Sequence, residues 1–263
     1  MIKKIGVQLF TIRDYMKTAD DMLKAFKRLK EIGYDEGQTA GIAEGMTYYD
    51  MADIAKEAGI EIVGTHYGFD DMLDNFDETV SVHKALGTTN CGVGGVSGSH
   101  MDRTLEGVKN YAKTVNRLAD RLYDEHGIKF TYHNHSWEFE HIDGDKSYWD
   151  IMVEEFNPDK VSFVLDTCWV AHAGADVRYW IEKLAGRIDI LHLKDKGFTV
   201  NNEGEKEISV CEIGQGNLWW DGIMESAEKS GVKYYCVEQD CFFRNNDPFE
   251  SLKISADYLK KYM

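Results

Sequence analysis

The chain has 263 residues, 43% apolar, 29% charged and 12% aromatic, a composition that excludes disorder and collagen-like structure and is enough to bury a core without staples. Thirty Lys and Arg against 46 Asp and Glu leave a formal charge of −16, which argues against nucleic acid and anionic lipid as partners, because both require a basic stripe. No apolar run approaches the roughly 18 residues of a membrane span, and Gln8 and Arg13 interrupt the N-terminal residues before a signal-peptide core can form.

Short apolar runs alternate with longer amphipathic ones along the whole chain. Strands are expected over 5–9, 34–38, 60–65, 90–93, 129–133, 161–165, 188–193 and 234–238. Between the first two, Met22, Ala25, Phe26, Leu29 and Ile32 fall on one helical face. Leu105, Val108, Tyr111, Ala112, Val115, Leu118 and Leu122 repeat the pattern over a longer stretch. Tyr148, Ile151, Met152, Glu155 and Phe156 form a shorter one. Gly33, Gly59, Gly87, Gly127 and Gly231 each stand between a helical segment and the next strand, where a left-handed residue closes the helix. Pro158 precedes the sixth strand, and Pro248 opens the last helix. Eight β–α units without a Pro- or Ser-rich linker predict a single (β/α)8 TIM barrel spanning residues 1–263. A doubly wound sheet would carry a glycine-rich first turn, and the segment 9–14 has no glycine.

The five cysteines, Cys91, Cys168, Cys211, Cys236 and Cys241, are odd in number, scattered and free of any CxxC pair. That is the pattern of free thiols in a reducing compartment, so a cytoplasmic location is expected.

In such barrels chemistry sits at the C-terminal ends of the strands. Four consecutive ends carry ionisable residues directly after an apolar run: His133 and His135 with Glu138 after the fifth strand, Asp166 after the sixth, His192 with Lys194 in the seventh, and Glu238 after the eighth. A lone Asp there is commonly a helix cap and a lone His a satisfied core imidazole. Four ends together are harder to explain as caps. Carboxylates desolvated by a barrel core must be paired, protonated or metal-bound. The donor set fits Mn²⁺, Co²⁺, Fe²⁺, Mg²⁺ or catalytic Zn²⁺ and does not fit a closed thiolate zinc site. His66, after the third strand, is a candidate substrate contact. His100, His126 and His172 read as surface or structural.

From Gly6-Val7-Gln8-Leu9-Phe10 through Tyr132-His133-Asn134-His135-Ser136-Trp137-Glu138-Phe139, Leu165-Asp166-Thr167-Cys168-Trp169 and His192-Leu193-Lys194-Asp195 to Val237-Glu238-Gln239-Asp240, the chain resembles the sugar phosphate isomerase/epimerase family of xylose isomerase-like TIM barrels. The His-Asn-His-x-x-Glu-Phe string is the most specific part. The resemblance implies one divalent metal, most simply Mn²⁺, held by Asp166, His192, Glu238 and a first ligand from the fifth strand. Glu138, in the loop beyond that strand, is expected as this ligand. His133, where many members carry a glutamate, is the competing candidate. The resemblance also implies removal of a proton next to a sugar carbonyl, with Glu138, Glu238, His133 and His135 as catalytic candidates. Isomerisation or epimerisation through an enediolate ranks first, and a keto-sugar lyase, dehydratase or hydratase using the same enolate second. A non-catalytic sugar-binding barrel would be indifferent to loss of Glu238. The apurinic endonucleases of the same superfamily need more histidines and a positive face, which the charge of −16 opposes.

Around this centre Lys194 is expected to bind a substrate hydroxyl or phosphate or to pair with an acid, Trp137 and Trp169 to wall a sugar face, and Arg244 to hold an anionic substituent or pair with a surface acid. The segment 214–220 reads as a mobile loop leading into a helix, and its Gly-x-Gly is too short for a phosphate cradle. A small-molecule sugar is the expected partner. A homo-oligomer is compatible with apolar residues on the helix exteriors.

Overall fold

The computed structural model describes residues 2–200, 206–241 and 243–263. Its strands are β1 (Gly6–Gln8), β2 (Glu36–Ala40), β3 (Glu61–His66), β4 (Asn90–Val93), β5 (Lys129–His133), β6 (His141–Asp143), β7 (Lys146–Ser147), β8 (Val161–Asp166), β9 (Ile188–Leu193), β10 (Asp195–Val200), β11 (Lys206–Cys211) and β12 (Tyr234–Val237). Eight of them close into a parallel barrel in the order β1-β12-β9-β8-β5-β4-β3-β2. All eight expected strands are present, each within two residues of its expected bounds. The first is shorter because Gln8 caps a 3-10 turn over Leu9–Tyr15.

The expected helical faces are the ones that pack on the barrel. Met22, Ala25, Phe26 and Leu29 of the helix Ala19–Ile32 are buried, as are Val108, Tyr111, Ala112, Val115, Leu118 and Leu122 of the helix Leu105–His126. In Tyr148–Glu155 the face is Tyr148, Ile151 and Met152, whereas Glu155 points to solvent. Thr18, Thr47, Thr104 and Ser147 each cap a helix N-terminus by accepting a backbone N–H, which is why these helices begin where they do. Pro248 is the first residue of the helix Pro248–Leu259.

Two core layers result. A wide one between strands and helices is filled by Trp149, Tyr132, Phe26, Phe130, Phe156 and Phe163. A small one inside the barrel is made by Val63, Val164, Ile190 and Cys236. Gly64 completes the second layer by having no side chain, since a Cβ there would lie 2.6 Å from Ile190 Cδ1. Among the described residues no helix is long and apolar enough to cross a membrane. The five cysteines are all free.

Candidate metal centre

The inner apolar layer determines what comes next along each strand. Side chains alternate faces with a period of two, so the inward Val164, Ile190 and Cys236 place Asp166, His192 and Glu238 on the inner face one step nearer the C-terminal rim. His133, the last residue of β5, joins them. One ligand atom from each of His133, Asp166, His192 and Glu238 lies within 4.8 Å of all the others, and all four residues are buried. His133 Nε2 is 3.6 Å from Asp166 Oδ2. His192 Nδ1 is 3.8 Å from the same oxygen and 3.1 Å from Glu238 Oε2.

These atoms are not satisfied by each other. Among the described residues, His133 Nε2, Asp166 Oδ2 and His192 Nδ1 are fully buried and without a hydrogen-bond partner. A buried polar atom left unpaired costs about 1–3 kcal/mol, more when charged, and here three such atoms converge on one point. Two carboxylates and two imidazoles in that arrangement fit a divalent cation.

The other atoms of the same residues are held. Asp166 Oδ1 accepts the backbone N–H of Trp169 at 2.8 Å and caps the helix Thr167–His172, while the Asp166 N–H donates to Asn134 Oδ1. His192 Nε2 contacts Gln38 Oε1 at 2.5 Å. Lys194, two residues beyond His192 and on the same face, brings its Nζ to 2.5 Å from Asp240, 3.2 Å from Glu238 and 3.8 Å from Asp166. Burial opposes ionisation of Asp166 and Glu238, yet the Lys194 ammonium and the imidazoles overcome it and hold both carboxyls well below the usual range. Burial likewise opposes the charge on Lys194 and His192. Their carboxylate neighbours win in both, and His192 is raised to about 9.

A cavity of about 190 Å³ opens at this centre, lined by Phe10, Ala40, His66, Gly94, His133, His135, Trp169, Lys194, Glu238 and Asp240. It is smaller than the ~300–1,000 Å³ of drug-sized pockets and suits a small polar ring. Trp169 supplies one wall, its ring 5.5 Å from His135 and 5.0 Å from the Lys194 ammonium. Burial pulls His135 down to about 4, so its ring is neutral near pH 7.

Glu138 lies outside the four-residue group. It is fully buried, but its carboxylate accepts the Tyr132 hydroxyl at 3.0 Å and the His135 backbone N–H at 2.8 Å, so it braces the turn after β5. Burial raises its pKa to about 7. His133 occupies the position expected for Glu138. Trp137 is not a cavity wall: its ring packs on Tyr148 at 5.5 Å with the Arg103 guanidinium 4.7 Å from it. Arg244 is half exposed and faces Glu212 at 3.5 Å. His66, His135, Trp169 and Lys194 do reach the cavity. His100 pairs with Asp70, His126 with Glu125, and His172 with Lys196.

The segment 214–220 is pinned. Asp195 Oδ2 accepts the Gly214 and Gly216 N–H groups and the Trp220 indole N–H at 2.8, 3.1 and 2.7 Å. The two glycines thus cradle a carboxylate of the protein itself. A Cβ on Gly216 would lie 2.2 Å from Asp195 Oδ1, and Gly214 has φ +82°. Gln8, Gln38 and Asp240 were not anticipated as parts of the site. Only Gln8 carries a strand-end signal, as the last residue of β1; Gln38 is the middle residue of β2, a strand without an apolar run, and Asp240 lies three residues beyond β12.

Comparison with known proteins places this geometry in context. The inosose dehydratase of Mesomycoplasma hyopneumoniae (strain 7448) is 29% identical over 171 residues, 60% of this chain and 55% of that protein. This chain thus spans about half the length of the curated relatives it matches. A sugar phosphate isomerase/epimerase from Parabacteroides distasonis superposes with a TM-score of 0.80 at 21% identity, covering 99% of this chain and 94% of its own. The IolI protein, solved with a zinc atom, superposes with a TM-score of 0.72 at 15% identity and 99% coverage of both chains. The model of the xylose isomerase-like TIM barrel family matches residues 26–262, and the chain belongs to that family.

Proposed function

We propose that this chain is a divalent-metal-dependent enzyme that removes the proton next to the carbonyl of a small keto-sugar or keto-polyol and then expels the β-hydroxyl, as a dehydratase or lyase. The observation that carries the reading is the group of His133, Asp166, His192 and Glu238, whose unpaired buried atoms converge beside a small polar cavity. These four residues would hold the ion. When bound, it supplies a Lewis acid that acidifies the carbon next to a carbonyl.

The chain's own residues account for the rest. Glu238 and His135 line the cavity and are the groups placed to take the α-proton. The electron pair of the broken C–H bond forms the enolate. As the β C–O bond breaks, the pair moves to a carbon–carbon double bond, and the hydroxyl takes the proton that the base has just removed and leaves as water. Lys194, held cationic by Asp240, Glu238 and Asp166, faces the oxygens on which negative charge develops. Trp169 shields this exchange from water on one side.

Elimination is favoured over epimerisation because the strand-five position bears the imidazole of His133, and Glu138 is tied to Tyr132 and the His135 backbone. An epimerase of the two-glutamate kind needs a second carboxylate at the sugar. The name of the Mesomycoplasma relative agrees with elimination. Isomerisation or epimerisation shares the first step and is the second reading: Glu238 can return the proton it removes.

The test is proton exchange followed by NMR in D₂O, with Mn²⁺-loaded protein and Glu238→Gln as control. The panel is ketohexoses, their phosphates, inososes and 3-keto-glucosides. Deuterium entering next to a carbonyl, with loss of water or an aglycone, is the expected result. A rearranged sugar moves the protein to the isomerases. No exchange with any substrate, and wild type equal to the variant, overturns enolisation.

A further inference from the structure

Two glutamines on neighbouring strands, Gln8 at the end of β1 and Gln38 in β2, are fully buried beside the site's acids, imidazoles and Lys194. Their amides form a chain whose polarity is determined at one end. The backbone N–H of Phe10 can only donate, and it donates to one end of the Gln8 amide at 3.2 Å, so that end is Oε1. The other end is therefore the NH₂. It donates to Gln38 Oε1 at 3.1 Å and faces His66 Nδ1 at 3.4 Å. Gln38 Oε1 in turn faces His192 Nε2 at 2.5 Å.

Each contact now has one permitted direction. An amide NH₂ cannot accept, so His66 Nδ1 must, and the proton of neutral His66 sits on Nε2. An amide oxygen cannot donate, so His192 Nε2 must, and Nδ1, the atom facing Asp166 and Glu238, is the one ring nitrogen left to supply a lone pair. His66 Nε2 is fully buried with no hydrogen-bond partner among the described residues, and His66 lines the cavity.

We propose that the Gln8–Gln38 amide pair sets the tautomers of two site histidines at once, turning His192 Nδ1 into a metal-ready lone pair and His66 Nε2 into a hydrogen-bond donor for a ligand oxygen in the cavity. Gln8 and Gln38 are positioning residues. His66 acts on the ligand itself, and that last role rests on the enolisation reading; the protonation of the two rings does not.

Two substitutions of equal charge separate this from a merely structural role. Gln8→Glu replaces the donor end by an acceptor. His66 then moves its proton to Nδ1 to reach the new carboxylate, and the Gln38 amide turns over and presents NH₂ to His192 Nε2. Gln38→Glu keeps an acceptor where one already stands and leaves both rings as they were. Long-range ¹H–¹⁵N correlation spectra of ¹⁵N-histidine-labelled protein, recorded without metal and with Zn²⁺, report which ring nitrogen is protonated. Calorimetric titration with Zn²⁺ reads the second effect.

In wild type and in Gln38→Glu, His66 is expected to be protonated at Nε2, and the zinc affinity of Gln38→Glu to be no weaker than wild type. In Gln8→Glu the His66 proton moves to Nδ1 and zinc affinity falls about 10- to 100-fold, the usual effect of disturbing a ligand's supporting hydrogen bond. His66 protonated at Nδ1 in wild type overturns the proposal, as does an equal response of the two variants. Should Gln8→Glu fail to fold, the wild-type spectrum decides alone. A wild type that binds no zinc but carries the Nε2 proton on His66 contradicts the metal reading and supports the amide chain's control of His66.

Discussion

Asp166 shows how one side chain fills two roles that a sequence presents as alternatives. Its Oδ1 caps the helix Thr167–His172 and its Oδ2 is free among the ligand atoms. Asn caps nearly as well as Asp, so Asp166→Asn is expected to fold, with catalysis reduced by three orders of magnitude or more and any stabilisation by added metal lost. Circular dichroism and a metal-dependent melting experiment on the same sample check both. His83 is the contrasting histidine, buried, bonded to Thr65 Oγ1 and the Thr79 carbonyl, and not among the residues that line the cavity. Burial lowers its pKa from 6.5 to about 4. The unfolded chain therefore binds more protons between these values, and the stability His83 supports is present above pH 6.5 and lost as pH falls through 4, by about 3 kcal/mol. Urea unfolding should show the gap between wild type and His83→Asn narrowing by that amount from pH 7 to pH 4.

At the scale of elements, barrel strands and helix faces were legible because each repeats a short rule, an apolar run of four to six residues or an i, i+3, i+4, i+7 face. The hairpins β6–β7 and β10–β11 were not: β6–β7 has only five residues, and in β10–β11 the apolar Phe198 and Ile208 pair with each other on the exposed face instead of facing the core. Nor was the anchoring of 214–220, since Asp195 lies 19 residues before the first glycine it holds. Asp195→Ala strands several buried donors and is expected to cost about 3–5 kcal/mol in chemical denaturation. Gly216→Ala should destabilise as well, through the clash with Asp195. The site was legible in part by the same logic. Asp166, His192, Lys194 and Glu238 announce themselves by ending apolar strands. The choice between His133 and Glu138 turns on how the loop after β5 folds, and Tyr132, which holds Glu138, is an ordinary apolar-run residue in the sequence.

For the whole molecule, closing eight strands desolvates the carboxylates at their ends, and the barrel tolerates this because charges of both signs converge there. A cation bound only by the folded barrel adds about 2.7 kcal/mol at a hundredfold excess over its dissociation constant, or roughly 5–10 °C in a domain of this size. Chelation should remove that increment and Mn²⁺ restore it. On the reading proposed, His133, Asp166, His192 and Glu238 hold one divalent ion and Glu138 does not. Calorimetric titration of the metal-free protein with Mn²⁺ or Zn²⁺ tests it most directly. One equivalent bound by wild type and by Glu138→Gln, with binding lost in folded Asp166→Ala and severely weakened in His133→Ala, is the predicted result. No binding by wild type, or binding abolished in Glu138→Gln and retained in His133→Ala, would contradict it.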